Sequence, residues 1–141
     1  MPRRSRARVV AFQALFQLDL QPQLGLEGAR AFVRRRCRND DLADFSLSLL
    51  DGCHRRLGEI DIMLADVAEN WSLGRMTAVD RNILRLGTYE LVYHLDTPPK
   101  VAIDEAIELA KRFGTSESGA FVNGILDRLI ERRPAPDTSG C

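Results

Sequence analysis

Apolar positions recur at helical spacing through most of this chain, and most densely between Val79 and Arg128. Leu84, Gly87, Leu91 and Leu95 form one stripe, which Ile83 and Leu86 widen. So broad an apolar surface predicts a central helix with neighbours on several sides. Thr97-Pro98-Pro99 stops it, because proline restrains the residue before it and has no amide donor. A second helix is predicted from near Lys100, with Ile103, Ala106, Ile107, Ala110 and Phe113 on one face and Gly114 as a left-handed stop. Thr115 or Ser116 then caps a third helix carrying Phe121, Val122, Ile125, Leu126 and Leu129. The three make a helical core with short connections.

Upstream, a helix is predicted to run from the basic start to about Leu20, with Val9, Phe12 and Phe16 on one face. Arg3, Arg6, Gln13 and Gln17 form a polar stripe on another. Residues 21–25 read as a loop, and Leu26 to Arg38 as a short helix with Ala29, Phe32 and Val33 inward. Asn39-Asp40-Asp41 caps the next helix. From Asp41 to about Trp71 the pattern is helical, either as one long helix or as two, because Gly52 and Gly58 weaken it without necessarily ending it. Trp71 reads as a core or subdomain-junction residue in preference to a stacking platform. Ser72-Leu73-Gly74 closes this half. Thr77 is the predicted cap of the central helix, with Asp80 in the third position of a capping-box-like arrangement. The tail after Arg133 reads as disordered.

Charge changes this picture more than composition does. The 141 residues balance 20 basic against 20 acidic side chains, but unevenly. Residues 1–38 hold nine arginines against Asp19 and Glu27, a net of +7, and the rest of the chain carries −7. Such a split suits a basic face for a polyanion and an acidic face for another partner. Arginines at the N-terminus of a helix oppose its dipole, so either a bound anion compensates them or the arm is simply solvated. The run Arg34-Arg35-Arg36-Cys37-Arg38 suits a helix C-terminus for the opposite reason, and touches nucleic acid only as a second reading.

Candidate chemistry is sparse. Cys37, Cys53 and Cys141 match neither a disulfide framework nor zinc-ligand spacing, so reduced thiols are expected. His54 and His94 lack partners for a metal. There is no phosphate-cradling glycine loop and no nucleophile elbow. Asp104 and Glu105 are helix neighbours that do not converge as an acid/base couple. Glu90 shares a face with Ile83 and Leu86 and there needs a charged or hydrogen-bonded partner. Asp104, Glu108 and Arg112 lie four residues apart, where Glu108 and Arg112 make a surface pair. No run of about 18 apolar residues predicts a membrane span, and no signal-peptide core follows the basic start, so a cytoplasmic binding protein is expected.

Several segments together carry a resemblance. They are Val79 with Ile83-Leu84-Arg85, Tyr89-Glu90-Leu91, Pro99 to Lys111 (PKVAIDEAIELAK), Phe113-Gly114 and Phe121-Val122-Asn123-Gly124-Ile125-Leu126-Asp127. With Arg4-x-Arg6-Ala7-Arg8 and Gln13-Ala14-Leu15, they resemble the NusB family of bacterial transcription antitermination factors, in the family's order and at its length. The resemblance implies an all-α fold of two packed helical subdomains, here 1–74 with the basic arm and 75–133, followed by a disordered tail, 134–141. It implies binding of the boxA element in ribosomal RNA leader transcripts together with NusE, a ribosomal small-subunit protein. It further implies assembly with RNA polymerase and other Nus factors, with no cofactor, no metal and no catalysis.

Carried over by position, the resemblance puts Arg4, Arg6 and Arg8 on phosphates, although Ser5 interrupts the run. Phe16 stands where a family tyrosine meets RNA and keeps the stacking face without the hydroxyl. Asp80 replaces a glutamate near the RNA and partner surfaces. Phe121 matches an exposed aromatic beside the RNA, with a core role equally open. Glu117 falls at an acidic position facing NusE. With Arg3 and Gln13 of the polar stripe, the expected RNA surface is Arg3, Arg4, Arg6, Arg8, Gln13, Phe16, Asp80 and Phe121. Two rivals remain: an accessory domain of an RNA methyltransferase, disfavoured because the chain stops where a catalytic domain would begin, and a protein–protein adaptor with an idle basic arm. Self-association over the RNA surface, known in some members, is left open.

Overall fold

A computed structural model describes residues 2–68 and 72–136, and among these every regular element is helical. Trp71, Cys141 and most of the predicted disordered tail lie outside the described residues; 134–136 carry no regular structure. There are seven α-helices among the described residues: α1 Arg3–Leu20, α2 Gly25–Arg36, α3 Asp40–Arg55, α4 Leu57–Val67, α5 Ala78–Thr88, α6 Pro99–Phe113 and α7 Ser118–Leu129.

The long first helix α1 lies across the molecule. It packs on α2 and α3 along one side and on α5 along another. Ala7, Ala11, Ala14 and Leu15 are among its buried residues, and the three alanines are small enough to let neighbouring backbones approach. One continuous apolar cluster therefore runs from Val10 through Leu50, Ile83 and Leu91 to Leu126 and Leu129. Such burial supplies the main favourable free energy of folding.

The turns obey local chemistry. A short 3-10 turn, Pro22–Leu24, leads into Gly25, whose φ of +68° only glycine adopts without strain. Asn39 caps α3 by accepting from the Leu42 amide at 3.2 Å. The segment that reads as one helix or two is two. The break falls at Arg56, between the two glycines. Gly52 is needed for space, because a Cβ there would overlap the Tyr89 ring.

The second half keeps the predicted three-helix order, with two differences. Thr77 caps α5 as expected, accepting from the Asp80 amide at 3.1 Å. After Thr88, however, the helix widens into a π-helical turn, Tyr89–Tyr93, in which His94 donates to the Tyr89 carbonyl at 3.0 Å. The helix ends there, at Tyr93, so Leu95 lies in the turn beyond it and not on the apolar stripe, and it is 49% exposed. Gly114 is the second difference. Its φ of −96° and ψ of −162° are extended, not left-handed. Glycine is required there because a Cβ would crowd the Ser118 side chain and the Ala110 carbonyl. Ser118 is buried and accepts from the Thr115 amide at 2.9 Å, so it, and not Thr115 or Ser116, anchors the start of α7.

A candidate nucleic-acid interface beside the first helix

The arginines of α1 part company according to helix geometry. Positions 3 and 6 share one face, and positions 4 and 8 share another. Arg8 is only 4% exposed and forks onto Glu90, 2% exposed, with Nε to Oε1 at 2.7 Å and Nη2 to Oε2 at 2.9 Å. Thr97 donates to Glu90 Oε2 at 3.0 Å, His94 Nδ1 lies 3.0 Å from the same hydroxyl, and Glu105 approaches Arg8 at 3.5 Å. Ser5 closes the cluster by donating to Glu105 at 2.7 Å. Glu90 thus has the partner its place on an apolar face requires. The same contact speaks against the expectation for Arg8: buried, bidentate on one carboxylate and with Nη1 3.5 Å from a second, its guanidinium is committed to the fold. Arg4 remains exposed, but its guanidinium stacks 4.5 Å over Phe45, away from Arg3 and Arg6.

Arg3 and Arg6 open onto a cleft of about 520 Å³ whose walls include Gln13, Arg36, Arg38 and Arg112. Among the described residues no carboxylate lines it. Cys37 is half-buried in the same cleft, and its burial pushes the thiol pKa up despite the Ser46 hydroxyl and the nearby Arg36 and Arg6. Cys53 is buried and its thiol pKa is pushed up to about 12 by desolvation; both thiols are free.

Gln13 and Arg36 also line the next cleft, about 320 Å³, floored by Phe12, Phe16, Phe32 and Phe113. Phe12 holds the cluster together, with ring centroids 6.2 Å from Phe16 and 5.2 Å from Phe113. The Gln13 side-chain oxygen is buried there without a hydrogen-bond partner. Val79 ends this cleft, and its neighbour Asp80 begins a third, about 220 Å³, shared with Met76, Glu117 and Phe121. Phe121 is half-buried, with part of its ring in the cleft. The Asp80 Oδ1 atom is likewise buried and unpartnered.

The region made by these clefts is a groove, basic and then aromatic, where Gln13 and Arg36 join the first two, and it holds Asp80 and Glu117 beside Arg75 in the third. It gathers Arg3, Arg6, Gln13, Phe16, Asp80, Phe121 and Glu117 from the expected set, and leaves out Arg4 and Arg8. It adds Phe32, Arg36, Arg38, Phe113 and Arg112, which sequence reasoning treats as core, helix-end or surface-pair residues. Among the described residues no group of three metal-ligating side chains converges. No helix among them is long and apolar enough to cross a membrane.

Comparison with known proteins points one way. The NusB family profile matches residues 5–131. A transcription antitermination protein NusB from Desulfatibacillum aliphaticivorans is 43% identical over 129 residues, 92% of this chain and 90% of that one. Its counterpart from Streptomyces avermitilis is 41% identical over 138 residues, 96% of each. Among solved structures, Thermotoga maritima NusB superimposes with a TM-score of 0.85 at 39% identity, covering 96% of this chain and 94% of that one. A crystal structure of antitermination factors NusB and NusE in complex with dsRNA gives 0.81 at 30% identity, covering 93% and 98%.

Proposed function

The chain belongs to the NusB family, and from that premise we propose that it is a transcription antitermination factor that binds the boxA element of ribosomal RNA leader transcripts together with NusE. The observation that carries this reading is the groove itself: among the described residues Arg3 and Arg6 face no carboxylate across a cleft that runs into a floor of phenylalanine rings. Single-stranded RNA is recognised by that combination, cations for phosphates and aromatic faces for splayed bases. Arg3 and Arg6 hold phosphates. Phe16 offers a stacking face, and the unpartnered Gln13 oxygen accepts from a base N–H. The third cleft, where Asp80 and Glu117 stand with Phe121 and Arg75, offers carboxylates that suit a basic ribosomal protein beside the RNA.

The division at residues 72–76 into subdomains 1–74 and 75–133 belongs to the same reading, with α1 bridging the two. So do a cytoplasmic location, a role without catalysis, and assembly with RNA polymerase and other Nus factors. A homodimer that covered the groove would compete with RNA, and titration at rising protein concentration reads that competition.

The test is a fluorescence-anisotropy titration of boxA RNA against a scrambled RNA, with and without NusE. A preference for boxA that tightens with NusE is the expected result. Equal, weak binding of both RNAs would remove the antitermination reading and leave a protein adaptor with a basic patch.

A further inference from the structure

The C-terminal end of α2 has no role in the function above, yet it forms the opposite wall of the basic cleft. We propose that Arg36 and Arg38 form a second phosphate-binding wall, which grips the nucleotides flanking boxA on one side and extends the RNA footprint beyond the element itself. The proposal rests on the boxA reading.

Pairing separates these arginines from most of those that hold the fold, and position in the cleft separates them from Arg34 and Arg35. Arg8, Arg30, Arg81, Arg85 and Arg132 each have a carboxylate partner. Arg128 and Arg133 donate to backbone carbonyls. Arg36 and Arg38, like Arg3 and Arg6 across the cleft, have neither among the described residues, and no acidic side chain among them lines the cleft between the two walls. The dipole of α2 accounts for positive charge in its last turn, where Arg34, Arg35 and Arg36 sit. It does not account for Arg38, which lies past the helix end. Nor does it account for Arg36 and Arg38 lining the cleft while Arg34 and Arg35 do not. Arg36 is also restrained, its guanidinium 5.5 Å above the Phe32 ring of the aromatic floor.

Continuity identifies the occupant as RNA in preference to an acidic protein segment. Gln13 and Arg36 line both the aromatic and the basic clefts, so a strand whose bases stack on the floor leaves directly between Arg3/Arg6 and Arg36/Arg38. Arginine forks match phosphate oxygens two at a time. A volume of about 520 Å³ is room enough for a nucleotide-sized group.

The experiment uses the full chain and three RNAs: boxA alone, boxA with four added 5′ nucleotides, and boxA with four added 3′ nucleotides, each titrated over a range of salt. One extension is expected to tighten binding and to steepen the salt slope by about 0.7 for each further phosphate held. Arg36→Ala and Arg38→Ala are expected to abolish the gain from that extension, and the exposed pair Arg34→Ala/Arg35→Ala to keep it. If boxA alone binds but neither extension helps, the second wall is overturned. It is equally overturned if the Arg34/Arg35 pair loses as much as Arg36 and Arg38, since the effect is then diffuse charge. Failure of boxA alone to bind overturns the proposed function itself, a different result.

Discussion

Two regions of α1 contrast directly: the buried junction around Arg8 and the open groove beside Arg3 and Arg6. They use the same side chain, within two residues of each other, for opposite ends. At the junction a carboxylate accepts two hydrogen bonds along one edge of the guanidinium, and the pair ties the first helix to the turn after α5, across 82 positions of sequence. In the groove no acidic side chain among the described residues answers Arg3 and Arg6. What faces a charge, and not the charge itself, decides whether it holds the fold or awaits a ligand.

The largest expected break in that contrast is Glu90→Ala. It leaves Arg8 buried with only the more distant Glu105, and the loss of stability is expected to be about 3 kcal/mol. The urea midpoint at unchanged m-value reads it. A loss smaller than about 1 kcal/mol, the range of exposed pairs, would mean that the junction is not what seats α1. Next comes Phe16→Leu, which keeps apolar bulk but removes the ring. It is expected to cost about 1 kcal/mol of boxA affinity, whereas Phe16→Tyr should bind at least as tightly as the parent. Equal binding by the leucine variant would take base stacking away from this position.

Arg3→Ala with Arg6→Ala sharpens the contrast from the groove side. Stability should move by no more than about 0.5 kcal/mol, while the salt slope of boxA binding falls by about 1.4. An unchanged slope would exclude both from phosphate contact. The smallest effect concerns Asp19 at the far end of α1. Its burial would raise the carboxyl pKa, but the hydrogen bonds from Asn82 and Arg81 and the charges of Arg85 and Arg81 outweigh that and lower it. A lowered folded pKa means that its stabilisation is full above the unfolded carboxylate range and is lost as pH falls through the folded value. Asp19→Asn should therefore flatten the acid side of the stability profile. A profile as steep as the parent's would assign the acid loss to other carboxylates.

Much of this molecule is legible in the sequence because helical periodicity, caps and proline stops are local signals. Thr77 and Asn39 cap where the sequence pattern puts them, whereas the central helix ends at Tyr93, short of the Pro98-Pro99 stop. The all-helical fold and the family resemblance both stand. The illegible parts are non-local. Arg8 looks like its neighbours until Glu90 is brought against it, and Gly114 looks like a left-handed stop until Ser118 folds into its space. The π-helical turn that ends the central helix at Tyr93 has no periodic signature in five residues, so ideal helical spacing extends the stripe to Leu95, which lies beyond the helix. Arg36 and Arg38 are explained by their own helix in the sequence, and only the packing of α2 against α1 turns them toward Arg3 and Arg6.

The reach of the Arg8–Glu90 pair also orders events in time. A ribosome emits chain at about 5–20 residues per second, so roughly 4–16 s separate the appearance of these two partners. Until the second emerges, the first helix carries an unanswered cation on its inward side. Phe113, which closes the aromatic floor, comes later still. The groove is therefore completed only after α6 has been made, and a nascent chain halted before it presents the arginines and most of the aromatic floor without the Phe113 ring that closes it.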